Sequence, residues 1–147
     1  MRPTGRTCRG FFQDTRYFAD HAETICGELM PRDPPSPVNQ ALLDRIGGET
    51  FPVSVHVRRG DFVGSRNEQP ADYYRSRMEA FAAKRPAFFI FSDDPDWCAA
   101  NLPAGTVVSH NAEAPHEDLR LMAACRAHVA TPGSSFSTWG RLLQRRG

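Results

Sequence analysis

Three polar clusters close apolar runs in this chain: HVRRGD at 56–61, SDDPD at 92–96 and TPGSSFS at 131–137. A guanidinium is a planar fork of donors that stays charged and matches phosphate oxygens in pairs. Arg58 and Arg59 are therefore candidates to grip a diphosphate. For either arginine taken alone, a surface ion pair with Asp61 is the simpler reading. Strand alternation puts Arg58 on the face of His56 and turns Arg59 away, which favours Arg58. In the third cluster Gly133 frees the turn, and Ser134, Ser135 and Ser137 surround a helix start. Unpaired N–H groups and the helix dipole favour an anion there, while an ordinary N-cap explains the same serines. Asp93 and Asp94 follow the apolar run at 87–91. A carboxylate at that position accepts two N–H bonds from a guanine edge or caps the helix opening at Pro95, and the sequence leaves both readings open. His56 reads as an ordinary strand-end residue unless an anion lies beside its ring.

These clusters can meet only if the elements before them are strands of one parallel sheet, whose carboxyl edge gathers the loops. Val53, Val55 and Val57 are β-branched and spaced by two, so 52–57 reads as a buried strand that Gly60 ends. Strands are also expected at 87–92, around Val107 and at 128–131. Between them the spacing predicts helices at 38–46, 94–102, 117–127 and 135–143, and one capped by Asp72 that carries Tyr74, Met78, Phe81 and Ala82 on a single face. Alternating strands and helices mean right-handed crossovers and a Rossmann-like, mostly parallel α/β sheet flanked by helices. Residues 10–29 read as one amphipathic helix after an aromatic entry, and the four prolines of PRDPPSP at 31–37 as a stiff connector. The chain thus divides into 1–36 and a main lobe at 37–147.

At 147 residues the chain suits one domain with a real core. A net charge of +1 makes neither nucleic acid nor an anionic membrane an obvious partner. Lys84 is the only lysine among 18 basic residues, so arginine position, not abundance, carries the argument. Cys8, Cys26, Cys98 and Cys125 form no C-x-x-C pair, which disfavours zinc and fits a reduced compartment. No apolar signal region is present, and the longest apolar run is AFFIF at 87–91, so a cytoplasmic protein is expected. RGD at 59–61 is also an adhesion tripeptide, and DDPD imitates a metal-binding D-x-D. Neither reading explains both the arginines and the serines.

The stretches HVRRGDF, DYY, FFIFSDDPDWCAANL and HEDLRLMAACRAHVATPGSSFSTWGRLL occur in the order of the bacterial and animal α-1,2-fucosyltransferases, which this chain strongly resembles. GFFQDTRYF is similar to the family's entry to this region, so the likeness runs from about Gly10 to Leu143. Phe62 stands where the family usually has Tyr, Thr131-Pro132-Gly133 replaces the residues before Ser-Ser-Phe-Ser, and Thr138 replaces the first of two tryptophans. The resemblance implies the C-terminal lobe of a GT-B glycosyltransferase. It implies GDP-β-L-fucose as donor, inverting transfer to a galactose 2-hydroxyl of a galactose-terminated glycan, and no metal ion or other cofactor.

By motif matching, His56, Arg58 and Asp61 are the catalytic candidates. Arg58, Arg59, Asp93, Asp94, Ser134, Ser135, Phe136 and Ser137 are the nucleotide-binding ones. The family's Gly-rich N-terminal lobe has no counterpart, so a donor lobe of a longer enzyme is expected, cytoplasmic or peripheral at the inner membrane face. Such a lobe should bind nucleotide weakly and transfer little. The apolar faces of 10–29 and of Phe136, Trp139, Leu142 and Leu143 would favour self-association. A non-catalytic anion-binding or RGD-type interaction module is the alternative.

Overall fold

Val53, Val55 and Val57 point to one side of their strand and Ser54 and His56 to the other, and this alternation sorts the helices into two layers. The computed structural model describes residues 14–108, 111 and 113–144. Strands β1 (Pro52–Val57), β2 (Ala87–Ser92), β3 (Thr106–Val108) and β4 (Ala127–Val129) form one parallel sheet in the order β3-β2-β1-β4. Val55 is in register with Ile90 and Val129, and His56 with Phe91. On the valine side, Tyr74 and Met78 of α3 (Ala71–Glu79) and Cys98 of α4 (Pro95–Asn101) pack on the three valines, Ile90 and Val129. On the other side, Phe89 and Phe91 meet Ile46 of α2 (Pro37–Gly48), Leu119 and Leu121 of α5 (Pro115–Ala123) and Leu143 of α6 (Ser135–Leu143). The expected Rossmann-like architecture is what the chain adopts.

Local chemistry moves several boundaries. Residues 14–29 are not one helix: 3-10 turns at Thr15–Tyr17 and Ala19–His21 precede a short α1 (Ala22–Leu29). Asp14 takes the Arg16 N–H and so starts the first turn separately. Pro70, not Asp72, is the N-cap of α3, and the Asp72 carboxylate pairs with Arg75 one turn on. Pro115 starts α5 two residues before Glu117, because its fixed φ suits the first helical position. Cys26, Cys98 and Cys125 are free and buried, and burial pushes the Cys125 thiol up to about 12, which keeps it protonated. Cys8 lies outside the described residues. The apolar face of α6 is covered: Leu143 is buried, Phe136 and Leu142 pack on the core, and Phe18 stacks on Trp139 at 5.0 Å.

Candidate functional site

The strand order fixes where a ligand can enter. From β1 the chain moves outward through β2 to β3, then returns across the sheet to set β4 on the other side of β1. The loop after β1 leads to α3 on one face and the loop after β4 to α6 on the opposite face. The two loops therefore part between β1 and β4, and such a reversal opens a crevice at the carboxyl edge. Arg58 follows β1 and Ser134–Ser137 follow β4, and the Arg58 N–H donates to Thr131 Oγ across the gap between them. The His56 ring lies 5.3 Å from that of Phe136 in the first turn of α6. Asn67 closes over Gly133, whose φ of +79° and near contact suit a residue without Cβ.

The two arginines have different environments. Arg58 donates from Nε to Asp61 at 2.8 Å and pairs through Nη1 with Asp93 at 2.7 Å. Its side chain is 39% exposed, that of Asp61 67% and that of Asp93 17%, so Asp61 is the partner that can yield to a ligand. Arg59 is only 14% exposed, lies over the Trp97 ring at 4.2 Å and pairs with Asp94 at 3.0 Å and Glu68 at 3.5 Å. It fastens the loop to α4, and its guanidinium is not presented to solvent as part of an Arg-Gly-Asp signal. The two adjacent arginines thus turn to different partners.

The aspartates also divide. Asp94 is the N-cap of α4, accepting from Trp97 N–H, with its second oxygen on Arg59. Asp93 accepts the Arg59 N–H at 2.8 Å and holds Arg58, so it sets the turn after β1. A Cβ at Gly60 would come within 2.7 Å of its carboxylate, which explains the glycine. Ser134 caps α6 through Ser137 N–H. Ser137 is fully buried and its hydroxyl accepts from Thr131 N–H, which directs it into the interior. Ser135, at the first position of α6, is exposed. The structure thus gathers Arg58, Asp61 and Asp93 into one ion-paired group and His56 and Phe136 into one ring contact, with Thr131 bonded to the backbone of both His56 and Arg58; Arg59, Asp94 and Ser137 serve as the frame.

Sequence reading overlooked a second polar group at the same edge, beside β3. Glu117 and Asp118 are 7% and 1% exposed, with Asn39 of α2 facing Glu117, Asn111 donating to Asp118 and Arg120 pairing with Glu117 at 3.1 Å. The signal was present: Glu117 and Asp118 precede the buried Leu121 and Met122 by four residues, which places both carboxylates on the core stripe of α5. Among the described residues, no cluster of three or more His, Cys, Asp or Glu is arranged to hold a metal ion. No described helix is long and apolar enough to cross a membrane.

Comparison with known proteins finds relatives along most of the chain. Alpha-1,2-colitosyltransferase of Escherichia coli is 30% identical over 154 residues, covering 92% of this chain and 50% of its own length. Galactoside alpha-(1,2)-fucosyltransferase 1 of Sus scrofa is 31% identical over 126 residues, covering 72% of this chain and 33% of its own length. The same enzyme of Homo sapiens is 31% identical over 123 residues, covering 74% and 33%. The chain thus spans half or less of the length of these relatives. No solved structure matches it significantly. The sequence model of glycosyl transferase family 11 matches residues 9–147, and on that extent of agreement the chain belongs to that family.

Proposed function

We propose that this chain is the donor-binding lobe of a galactoside α-1,2-fucosyltransferase, which takes GDP-fucose and passes fucose to a galactose 2-hydroxyl. The observation that supports the reading is a half-exposed Arg58 just past the end of β1, its guanidinium held by Asp93 and its N–H bonded to Thr131, four residues before α6. As the acceptor hydroxyl oxygen bonds to the anomeric carbon and gives up its proton to water, the bond to the β-phosphate oxygen breaks and its electron pair leaves with GDP. Charge grows on the phosphate oxygens, so donors already fixed there lower the barrier. Arg58 supplies a cation that stays charged, and the first N–H groups of α6 supply a positive dipole end. Asp93 holds the guanidinium in place during this change. His56 and Phe136 form the apolar-aromatic wall beside it.

No divalent ion has a part in this reading, because Arg58 and α6 neutralise the diphosphate. Acceptor binding is assigned to a second lobe, with the protein cytoplasmic or peripheral at the inner membrane face. Colitose is the second reading for the transferred sugar, favoured by the 92% coverage of this chain by the Escherichia coli colitosyltransferase. Isothermal titration with GDP and UDP tests the proposal. GDP should bind and UDP should bind at least about tenfold more weakly, a difference of about 1.4 kcal/mol, and EDTA should leave GDP binding unchanged. Equal binding of both nucleotides, no binding by folded protein, or collapse in EDTA with recovery in manganese would refute it.

A further inference from the structure

Beyond Val55↔Val129 the ladder between β1 and β4 stops, yet β1 continues for two more residues. In a parallel pair, the C=O of one residue and the N–H two residues later bond to the same partner on the neighbouring strand. At the end of β1 those two groups are His56 C=O and Arg58 N–H, and both bond to the side chain of Thr131. Its hydroxyl donates to His56 O at 2.7 Å and accepts from Arg58 N–H at 3.0 Å. Tyr74 Oη of α3 lies 2.9 Å from the same oxygen. A hydroxyl has one proton and two lone pairs. With the proton directed at His56, Tyr74 must be the donor, and the hydroxyl of Thr131 is saturated.

Thr131 is itself held. It is 1% exposed, and its own N–H donates to Ser137 Oγ in α6. A single residue therefore continues the ladder where the strands part: its hydroxyl bonds the backbone that carries Arg58, and its own N–H bonds α6. We propose that Thr131 is a positioning residue that fixes Arg58 opposite the start of α6. The proposal rests on reading Arg58 as the diphosphate seat. It concerns the chain's own departure from the family pattern, since Thr131 opens the Thr-Pro-Gly segment before the serines.

The test is amide hydrogen exchange on the whole chain, run with GDP titration, for the wild type, Thr131→Val, Thr131→Ser and Tyr74→Phe. In the wild type the Arg58 amide should be protected although it lies past the strand. Loss of one buried hydrogen bond should speed its exchange about tenfold in Thr131→Val, relative to the Val55 amide, and weaken GDP binding by a similar factor. Thr131→Ser should restore both. Tyr74→Phe should lower the urea midpoint while sparing Arg58 protection and GDP affinity, which separates positioning from general loss of stability.

An unprotected Arg58 amide in the wild type, or one that Tyr74→Phe releases, overturns the proposal even if Thr131→Val does not fold. So does a folded Thr131→Val variant with unchanged Arg58 exchange. Release in Thr131→Val and rescue in Thr131→Ser, without GDP binding to any form, would support the fixing of Arg58 and refute the diphosphate reading.

Discussion

Arg58 meets carboxylates at two of its nitrogens, and their unequal burial decides what a ligand encounters. Asp93 is mostly buried and also accepts the Arg59 N–H, so displacing it would disturb the turn after β1. Asp61 is mostly exposed and sits in the 3-10 turn at Gly60–Phe62, where its pair with Arg58 is screened by solvent. An exposed pair of this kind is worth roughly 0 to 1 kcal/mol. A phosphate reaching Arg58 Nε displaces Asp61 and forgoes that amount. Asp61→Asn should therefore tighten GDP binding by up to about fivefold, with little change in stability. Titration of the variant checks this, and weaker binding would mean that Asp61 contacts the ligand favourably rather than competing with it.

At the scale of elements, β4 is joined to β1 and α6 by a second, half-buried side chain, His128. Its Nδ1 lies 2.7 Å from Ser54 Oγ and its Nε2 3.3 Å from Ser137 Oγ. Burial lowers its pKa from 6.5 to about 4, and Arg141 acts in the same direction. The unfolded chain gains a proton below about pH 6.5, whereas the folded chain refuses one until about pH 4. Stability should therefore fall as pH drops through that window, by on the order of 2 to 3 kcal/mol. Urea unfolding of the wild type and His128→Asn at pH 7 and pH 4.5 measures it, and equal pH dependence in the two proteins would show that His128 is not the source. The elements were legible where periodicity was strong: the valines of β1, the AFFIF run of β2 and the stripe of α6. They were less legible where one side chain decides, as when Asp14 starts a separate turn or Pro115 moves the start of α5. Of the site, the placement of Arg58 and of the α6 cap after adjacent parallel strands was legible from strand ends alone. The roles of Arg59, Asp94 and Ser137 did not, because sequence gives the type of a side chain and not its partner across thirty residues of chain.

For the molecule as a whole, the opposite placement of α3 and α6 about β1 parts the loops where the proposed diphosphate site lies. Each helix that covers one face leaves its connecting loop on its own side, and the gap between the loops receives a cation from β1 and a helix N-terminus from α6. The apolar face of α6 takes part in the core with Phe18 against Trp139, so that face gives no reason for self-association; among the described residues the exposed large apolar side chains are Tyr17, Leu29, Val38 and Val63. The central claim is that Arg58 seats the diphosphate while its neighbour Arg59 holds the frame. GDP titration of Arg58→Ala beside Arg59→Ala, each with a urea unfolding curve, tests it most directly. Loss of a charge-assisted contact should cost Arg58→Ala about 1.5 to 3 kcal/mol of binding, roughly 10- to 150-fold. Arg59→Ala should bind GDP within a few-fold of the wild type but unfold at lower urea, having lost its pair with Asp94 and its stack on Trp97. The reverse order, with Arg59→Ala abolishing binding in a folded protein and Arg58→Ala leaving it intact, would contradict the account.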